Sequence, residues 1–175
     1  MRQEQEMTGP FEIERKFLIH YPDIRKLESL PNCRKVRIVQ TYLKPENGEK
    51  LRVRQWEENG SRLYFKTLKR DVTDITRIEI EERLSEEEYL RLLKDADPAM
   101  QPIQKTRYCL TVQDQCFEID VYPLWKDRAI AEIELPDEDA AIRFPEEIRV
   151  IREVTADARY RNSSLARTGG KQPED

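Results

Sequence analysis

Seven stretches of this chain alternate charged and apolar residues with the two-residue period of a β-strand. The first is Phe11-Glu12-Ile13-Glu14-Arg15-Lys16-Phe17-Leu18-Ile19. In an extended strand, alternate side chains share a face. Glu12, Glu14 and Lys16 therefore point one way, while Ile13, Phe17 and Ile19 point the other. The pattern returns at Leu51 to Arg54, aligning Arg52 and Arg54, and at Leu63 to Leu68, where Lys66 stands opposite Phe65. It returns again in Thr76 to Glu81 (Arg77, Glu79, Glu81), Ile103 to Arg107 (Lys105, Arg107), Phe117 to Val121 (Glu118, Asp120) and Ala131 to Leu135 (Glu132, Glu134). A helical period of 3.6 cannot keep such residues on one face. The chain is constrained to a sheet with one mostly apolar face and one face rich in charges of both signs.

The connections fix how such a sheet can be joined. Val36 to Leu43 supplies an eighth strand, and Pro45-Glu46-Asn47-Gly48, Glu58-Asn59-Gly60 and Gln113-Asp114-Gln115 read as tight turns. Ile24, Leu27 and Leu30 have the spacing of one helical face. Ser85 and Glu88 form a capping-box signature that opens a helix running to about Asp95. Pro136-Asp137 predicts a short helix to Arg143, and residues 156–166 have helical composition. Short turns and short helices favour antiparallel neighbours. The predicted fold is α+β but mainly β: eight antiparallel strands closed into a barrel, with a few short covering helices. One domain spans residues 11–166, flanked by tails at 1–10 and 167–175 read as flexible. Patterning alone leaves open whether the apolar or the charged face turns inward.

Composition narrows the function. A chain of 175 residues suits one domain with a substantial core. Its net charge of −4 argues against nucleic acid or an anionic membrane as partner, and no apolar run approaches a membrane span. Three cysteines, Cys33, Cys109 and Cys116, form no C-x-x-C pair, and no signal peptide is evident, which suits a reducing cytoplasm. The single histidine, His20, argues against a zinc site or a histidine-based triad. The oligomeric state is not fixed, and a homodimer is compatible with the sequence.

The charges are sorted by strand. The first and last of the seven stretches bring Glu12, Glu14, Glu132 and Glu134, while those between bring Arg52, Arg54, Lys66, Lys105 and Arg107. Like charges two residues apart repel along a strand and are easier to understand facing a shared polyanion. Carboxylate oxygens suit a hard divalent cation, and Mg²⁺ typically sits on a few carboxylates plus substrate phosphates. Arginine grips phosphate bidentately and lysine does so as a point charge. Each Glu-x-Glu or Arg-x-Arg alone reads as a solvated strand face. Their combination fits metal-assisted phosphoryl transfer.

Glu12-Ile13-Glu14-Arg15-Lys16 resembles the E-x-E-x-K signature of the CYTH superfamily, the triphosphate tunnel metalloenzymes. The resemblance continues through the Arg52, Lys66, Arg77, Lys105, Glu118 and Glu132 stretches to Arg159-Tyr160-Arg161-Asn162, where bacterial members often have Arg-Tyr-Lys-Asn. It implies an eight-stranded barrel with the charged face inward, around a tunnel. It implies Mg²⁺ or Mn²⁺ held by Glu12, Glu14, Glu132 and Glu134, and triphosphate held by Lys16, Arg52, Arg54, Lys66, Lys105 and Arg107. Glu14, Lys16 and Lys105 carry the catalytic expectation. Glu81 and Asp120 match further tunnel acids, and Arg161 replaces a lysine; their roles stay open. Residues 160–165 are expected at or near one tunnel mouth. The short motif forms are most similar to bacterial inorganic triphosphatases, which cleave triphosphate to pyrophosphate and phosphate. Class IV adenylate cyclase, thiamine or nucleoside triphosphatase and RNA 5′-triphosphatase are the other family chemistries. A non-enzymatic polyphosphate-binding module is the reading from another class; it would not need the four acids, whose presence favours an enzyme.

Overall fold

In a computed structural model, which describes residues 11–174, the two-residue alternation becomes nine strands. They are β1 (Phe11–His20), β2 (Cys33–Tyr42), β3 (Lys50–Glu58), β4 (Ser61–Asp71), β5 (Thr76–Leu84), β6 (Ile103–Val112), β7 (Gln115–Val121), β8 (Arg128–Leu135) and β9 (Val150–Glu153). The sheet runs β5-β4-β3-β2-β6-β7-β8-β1, and pairing of β1 with β5 closes it into an eight-stranded barrel. Every pairing is antiparallel. The short β9 stands outside the ring of eight and was not predicted. It takes the C-terminal half of one β1 edge (Phe17↔Glu153, Leu18↔Arg152), while β5 takes the N-terminal end (Phe11↔Ile78, Glu12↔Arg77).

The charged face turns inward. Most of the apolar face lies on the outside of the barrel and is roofed. Phe17, Ile19, Leu110, Phe117, Ile119 and Ile133 pack beneath Leu27 of helix α1 (Ile24–Ser29) and beneath Ile148. Phe144 meets Phe17 edge to face at 4.9 Å. On the other side, Leu51, Val53, Tyr64 and Leu84 pack against Tyr89 of helix α2 (Glu86–Leu92). The predicted capping box is present there: Ser85 Oγ accepts the Glu88 N–H at 3.1 Å, and Glu88 accepts the Ser85 N–H at 2.8 Å. A 3-10 turn, Leu93–Asp95, carries the helix to its predicted end.

The inward face is not charged along its whole length. Leu18, Ile103, Tyr122 and Ile130 continue the inward phase of Lys16, Lys105, Asp120 and Glu132. They cluster with Trp125, Val154, Tyr160 and Leu165. This apolar plug fills one side of one barrel end, and helix α3 (Asn162–Arg167) completes it.

Two connections differ from expectation. Residues 137–143 form no helix. Asp137 to Ala140 makes a single turn, and Gln115 then donates to Ala141 O at 2.7 Å and accepts the Arg143 N–H at 2.9 Å, which ties the following backbone to β7. Residues 156–166 split into a 3-10 turn, Ala158–Tyr160, and α3, interrupted at Arg161, whose ψ of 140° is extended. Beyond α3, Gly170 O accepts the Trp125 indole N–H at 3.0 Å. The expected tail at residues 1–10 lies outside the described residues. Among the described residues, no helix is long and apolar enough to cross a membrane.

At the β3–β4 hairpin, Asn59 (φ 51°) and Gly60 (φ 79°) are both left-handed, the two-residue turn whose twist matches that of paired strands. That turn sets the β3–β4 register, and with it which cations of the two strands face the interior.

Candidate active site

Inward side chains from all eight strands of the ring enclose a cavity of about 170 Å³. Its walls are Glu12, Glu14 and Lys16 of β1, Arg52, Arg54 and Trp56 of β3, Lys69 and Asp71 of β4, and Arg77, Glu79 and Glu81 of β5. Arg107, Glu118, Glu132 and Glu134 complete the ring, and Tyr42 and Lys50 contribute to the lining. Arg161, Asn162 and Ser163 reach it from the C-terminal segment, as expected for residues 160–165. Strand parity accounts for the strand residues: each is two or four positions from another lining residue or a buried neighbour on the same face.

The acids gather around β1, β5 and β8. Glu14 and Glu134 are directly opposite in the β1–β8 ladder, an unfavourable placement for two like charges. Burial raises the Glu134 carboxyl above its usual range, and Glu14 and Glu79 raise it further. Burial likewise pushes Glu12 up to about 8, with Glu79 and Glu134 adding to the shift. Glu79 is held at about 2 despite its burial, because Lys69, Arg52 and Arg54 face it. Glu12 and Glu79 therefore titrate as an interacting pair, one raised and the other lowered. Glu12 and Glu134 have no ion-pair partner among the described residues to balance the repulsion of their neighbours. Among the described residues, no three His, Cys, Asp or Glu side chains converge closely enough to hold a metal by themselves. The all-oxygen donor set therefore fits a hard cation that draws its other ligands from water or substrate oxygens.

Glu132 lies elsewhere in the charge pattern. Its carboxylate is 3.2 Å from Lys16 Nζ and 3.9 Å from Arg107. Despite its burial, Lys16, Arg107 and Lys105 hold it well below the usual carboxylate range. Lys16 also donates to Tyr160 O at 3.3 Å, tying β1 to the plug.

The cations line the opposite walls. Arg52 donates to Gln40 at 3.3 Å and lies 3.5 Å from Glu79, and Arg54 pairs with Glu81. Burial lowers Arg54 to about 10, with Arg52 adding to the effect and Glu81 opposing it. Lys69 pairs with Glu79 at 3.1 Å, and Arg77 lies 3.9 Å from Glu14. At the rim Arg161 donates to Asp71 at 3.2 Å and to Asp74 at 3.5 Å. The Nε groups of Arg52, Arg54, Arg77 and Arg161 are buried and have no acceptor among the described residues. Leaving a buried donor unmet costs about 1–3 kcal/mol, so four on one cavity are a demand for acceptor oxygens.

Not every expected residue reaches the cavity. Lys66 faces outward beside Leu51, Leu68 and Glu82, away from the site. The inward phase of β4 is instead Phe65, Thr67, Lys69 and Asp71: Thr67 donates to Glu81 at 3.2 Å, and Phe65 touches Trp56. Lys69 is thus the β4 cation at the site. Lys105 is buried behind the wall and donates to Asp120 at 2.6 Å, while burial lowers it to about 8. Arg107 grips the same carboxylate through Nε at 2.7 Å and Nη2 at 2.9 Å, and also pairs with Glu118. Arg77, Glu79, Glu81 and Glu118 line the cavity without having been given a role. Their signal was present in the strand alternation and in the stretches that carry the family resemblance, which matched Glu81 to a tunnel acid, but it gave none of them a function.

Comparison with known proteins agrees with this geometry. The CYTH domain profile matches residues 10–169. An inorganic triphosphatase of Acetivibrio thermocellus is 33% identical over 159 residues, covering 89% of this chain and 93% of that protein. One from Nitrosomonas europaea is 35% identical over 163 residues, covering 89% of this chain and 96% of that protein. A crystal structure of an inorganic triphosphatase superposes with a TM-score of 0.56 at 32% identity, covering 89% of this chain and 94% of that one. With its closed eight-stranded barrel and inward charges, this chain belongs to the CYTH domain family.

Proposed function

We propose that this protein hydrolyses inorganic triphosphate to pyrophosphate and phosphate with the help of Mg²⁺ or Mn²⁺. The observation that carries the reading is the set of buried guanidinium Nε groups without acceptors, all on one cavity. A polyphosphate brings many anionic oxygens in a thin, extended shape and satisfies such donors by charge-assisted hydrogen bonds. Relatives with 33% and 35% identity named inorganic triphosphatases support the choice of substrate. The sparse, odd set of cysteines supports a cytoplasmic setting.

Residues divide by wall. Arg52, Arg54, Lys69 and Arg77 hold and orient the phosphates. Lys16 and Arg107 neutralise negative charge that gathers on the departing group. Lys105 acts at one remove, fixing Asp120, which in turn aims Arg107. Glu12, Glu14 and Glu134 would hold the divalent cation, with Glu132 beside them orienting Lys16. When bound, such a cation offsets charge on the transferring phosphoryl group. The plug closes one side of the barrel end and limits water near the cations.

Purified protein with Mg²⁺ is expected to release pyrophosphate and phosphate from triphosphate well ahead of ATP, thiamine triphosphate and pyrophosphate, each offered separately. A comparable or higher kcat/KM on ATP, or cyclic AMP as product, overturns the substrate assignment; affinity without product makes the protein a binding module. Excess chelator is expected to abolish turnover, and readdition of Mg²⁺ or Mn²⁺ to restore it. Full activity in chelator, with no metal retained by the protein, overturns the metal requirement.

A further inference from the structure

We propose that Trp56 binds the outer phosphate of the polyphosphate through its indole N–H and so reads the length of the chain; this rests on the triphosphate reading above. Trp56 follows Arg54 by two residues on β3, on the same inward face, and lines the same cavity. Its Nε1 is buried and has no acceptor among the described residues. The contrast is internal. The chain has two tryptophans, and the other, Trp125, donates to Gly170 O at 3.0 Å. An indole N–H is a donor only, so it cannot serve a cation and must be answered by an acceptor oxygen.

The ring is held in place for this task. It packs edge to face on Phe65, with centroids 5.3 Å apart, and the Arg54 guanidinium lies 5.3 Å from its centre. The acids lining this part of the cavity already have partners: Glu81 takes Arg54 and Thr67, and Glu118 takes Arg107. Arg52, Arg54 and Trp56 thus form a row of unmet donors on alternate residues of one strand. Trp56 extends that row by about 7 Å beyond Arg54, the span of two strand residues. A pyrophosphate held by the arginines leaves the indole unanswered, whereas a third phosphate answers it.

Imido-bridged triphosphate and imidodiphosphate, both resistant to hydrolysis, test this with Mg²⁺ present. The two indole N–H resonances of the ¹⁵N-labelled protein are followed during titration, with the Trp56 signal identified by its loss in Trp56→Phe. Triphosphate analogue is expected to move the Trp56 resonance downfield, and the diphosphate analogue to move it little. Trp56→Phe, which keeps the aromatic contact, should weaken triphosphate-analogue binding about tenfold or more, as for one lost hydrogen bond to a charged group. Diphosphate-analogue binding should change less. A stationary Trp56 resonance at saturation in the unaltered protein overturns the inference while leaving the triphosphate reading intact. So does undiminished affinity in Trp56→Phe. An unaltered protein that does not bind the triphosphate analogue overturns both. The Trp125 resonance reports whether the variant is folded; where it is not, the indole signal that survives in Trp125→Phe identifies Trp56, and the spectrum of the unaltered protein decides the matter.

Discussion

Glu134→Gln is expected to lower kcat on triphosphate by about 10²-fold or more, the scale of losing one charge-stabilising contact in a transition state, while leaving the fold at least as stable. Glu14→Gln should lose turnover similarly. The two expectations for Glu134 separate a metal-holding role from a structural one. In the protein without metal, the Glu134 carboxyl is raised by burial and by Glu14 and Glu79. A carboxylate whose folded pKa lies above its unfolded value opposes folding at neutral pH, so a neutral amide there relieves repulsion. Thermal unfolding without metal should therefore give an unchanged or higher Tm for Glu134→Gln. Affinity for a non-hydrolysed triphosphate should fall much less than kcat, because the arginine wall is untouched. Near-normal kcat at saturating Mg²⁺ in both variants would remove these two carboxylates from the metal site. Lost activity together with a lower Tm would make Glu134 a folding residue instead.

Asp120→Asn should have the opposite signature, a large loss of stability. Asp120 is fully buried and answers both Lys105 and Arg107. Removing its charge leaves two cations inside the barrel without their main partner. Breaking a buried ion pair this way costs about 3–5 kcal/mol. In a domain of this size that corresponds to a Tm lower by about 6–20 °C. The pH dependence has a definite sign. Burial favours the protonated acid, but Arg107 and Lys105 outweigh it and hold Asp120 below its ordinary value. Its stabilisation is thus fully present above the unfolded pKa of about 3.9 and is lost as pH falls through the lower folded value. Asp120→Asn should therefore flatten the acid limb of the stability profile. A Tm within a degree or two of the parent would mean that Lys105 and Arg107 do not depend on Asp120.

Strand existence, antiparallel pairing and closure were legible because charge alternation repeats in seven places. The inward turn of the charged face was not legible from periodicity, since both faces of such a sheet satisfy the same pattern; the family resemblance supplied it. Phase within a strand was harder still. Lys66 and Lys69 lie three residues apart on β4 and so fall on opposite faces, and only the Thr67–Glu81 hydrogen bond and the Lys69–Glu79 pair tell which is inside. The plug was readable in principle, because Leu18, Ile103, Tyr122 and Ile130 interrupt the charged phase at one end of four strands. The non-helical course of residues 137–143 was not, because it depends on Gln115, a distant residue whose side chain occupies backbone groups of Ala141 and Arg143 that a helix would use.

The closure of the barrel through β1 has a consequence for how the molecule is made. The strand of the barrel that is synthesised first, β1, has no neighbour among the residues that follow at once. Its partners are β5, β8 and β9, and β2 pairs with β3 and β6 instead. β1 must wait for Thr76–Leu84, then for Arg128–Leu135 and Val150–Glu153, with both of its hydrogen-bonding edges open meanwhile. Open edges invite pairing with other chains, and such distant contacts slow folding. The strand that brings Glu12, Glu14 and Lys16 to the cavity is therefore the one most exposed to mispairing during synthesis, and the site can be assembled only after β8 has been made.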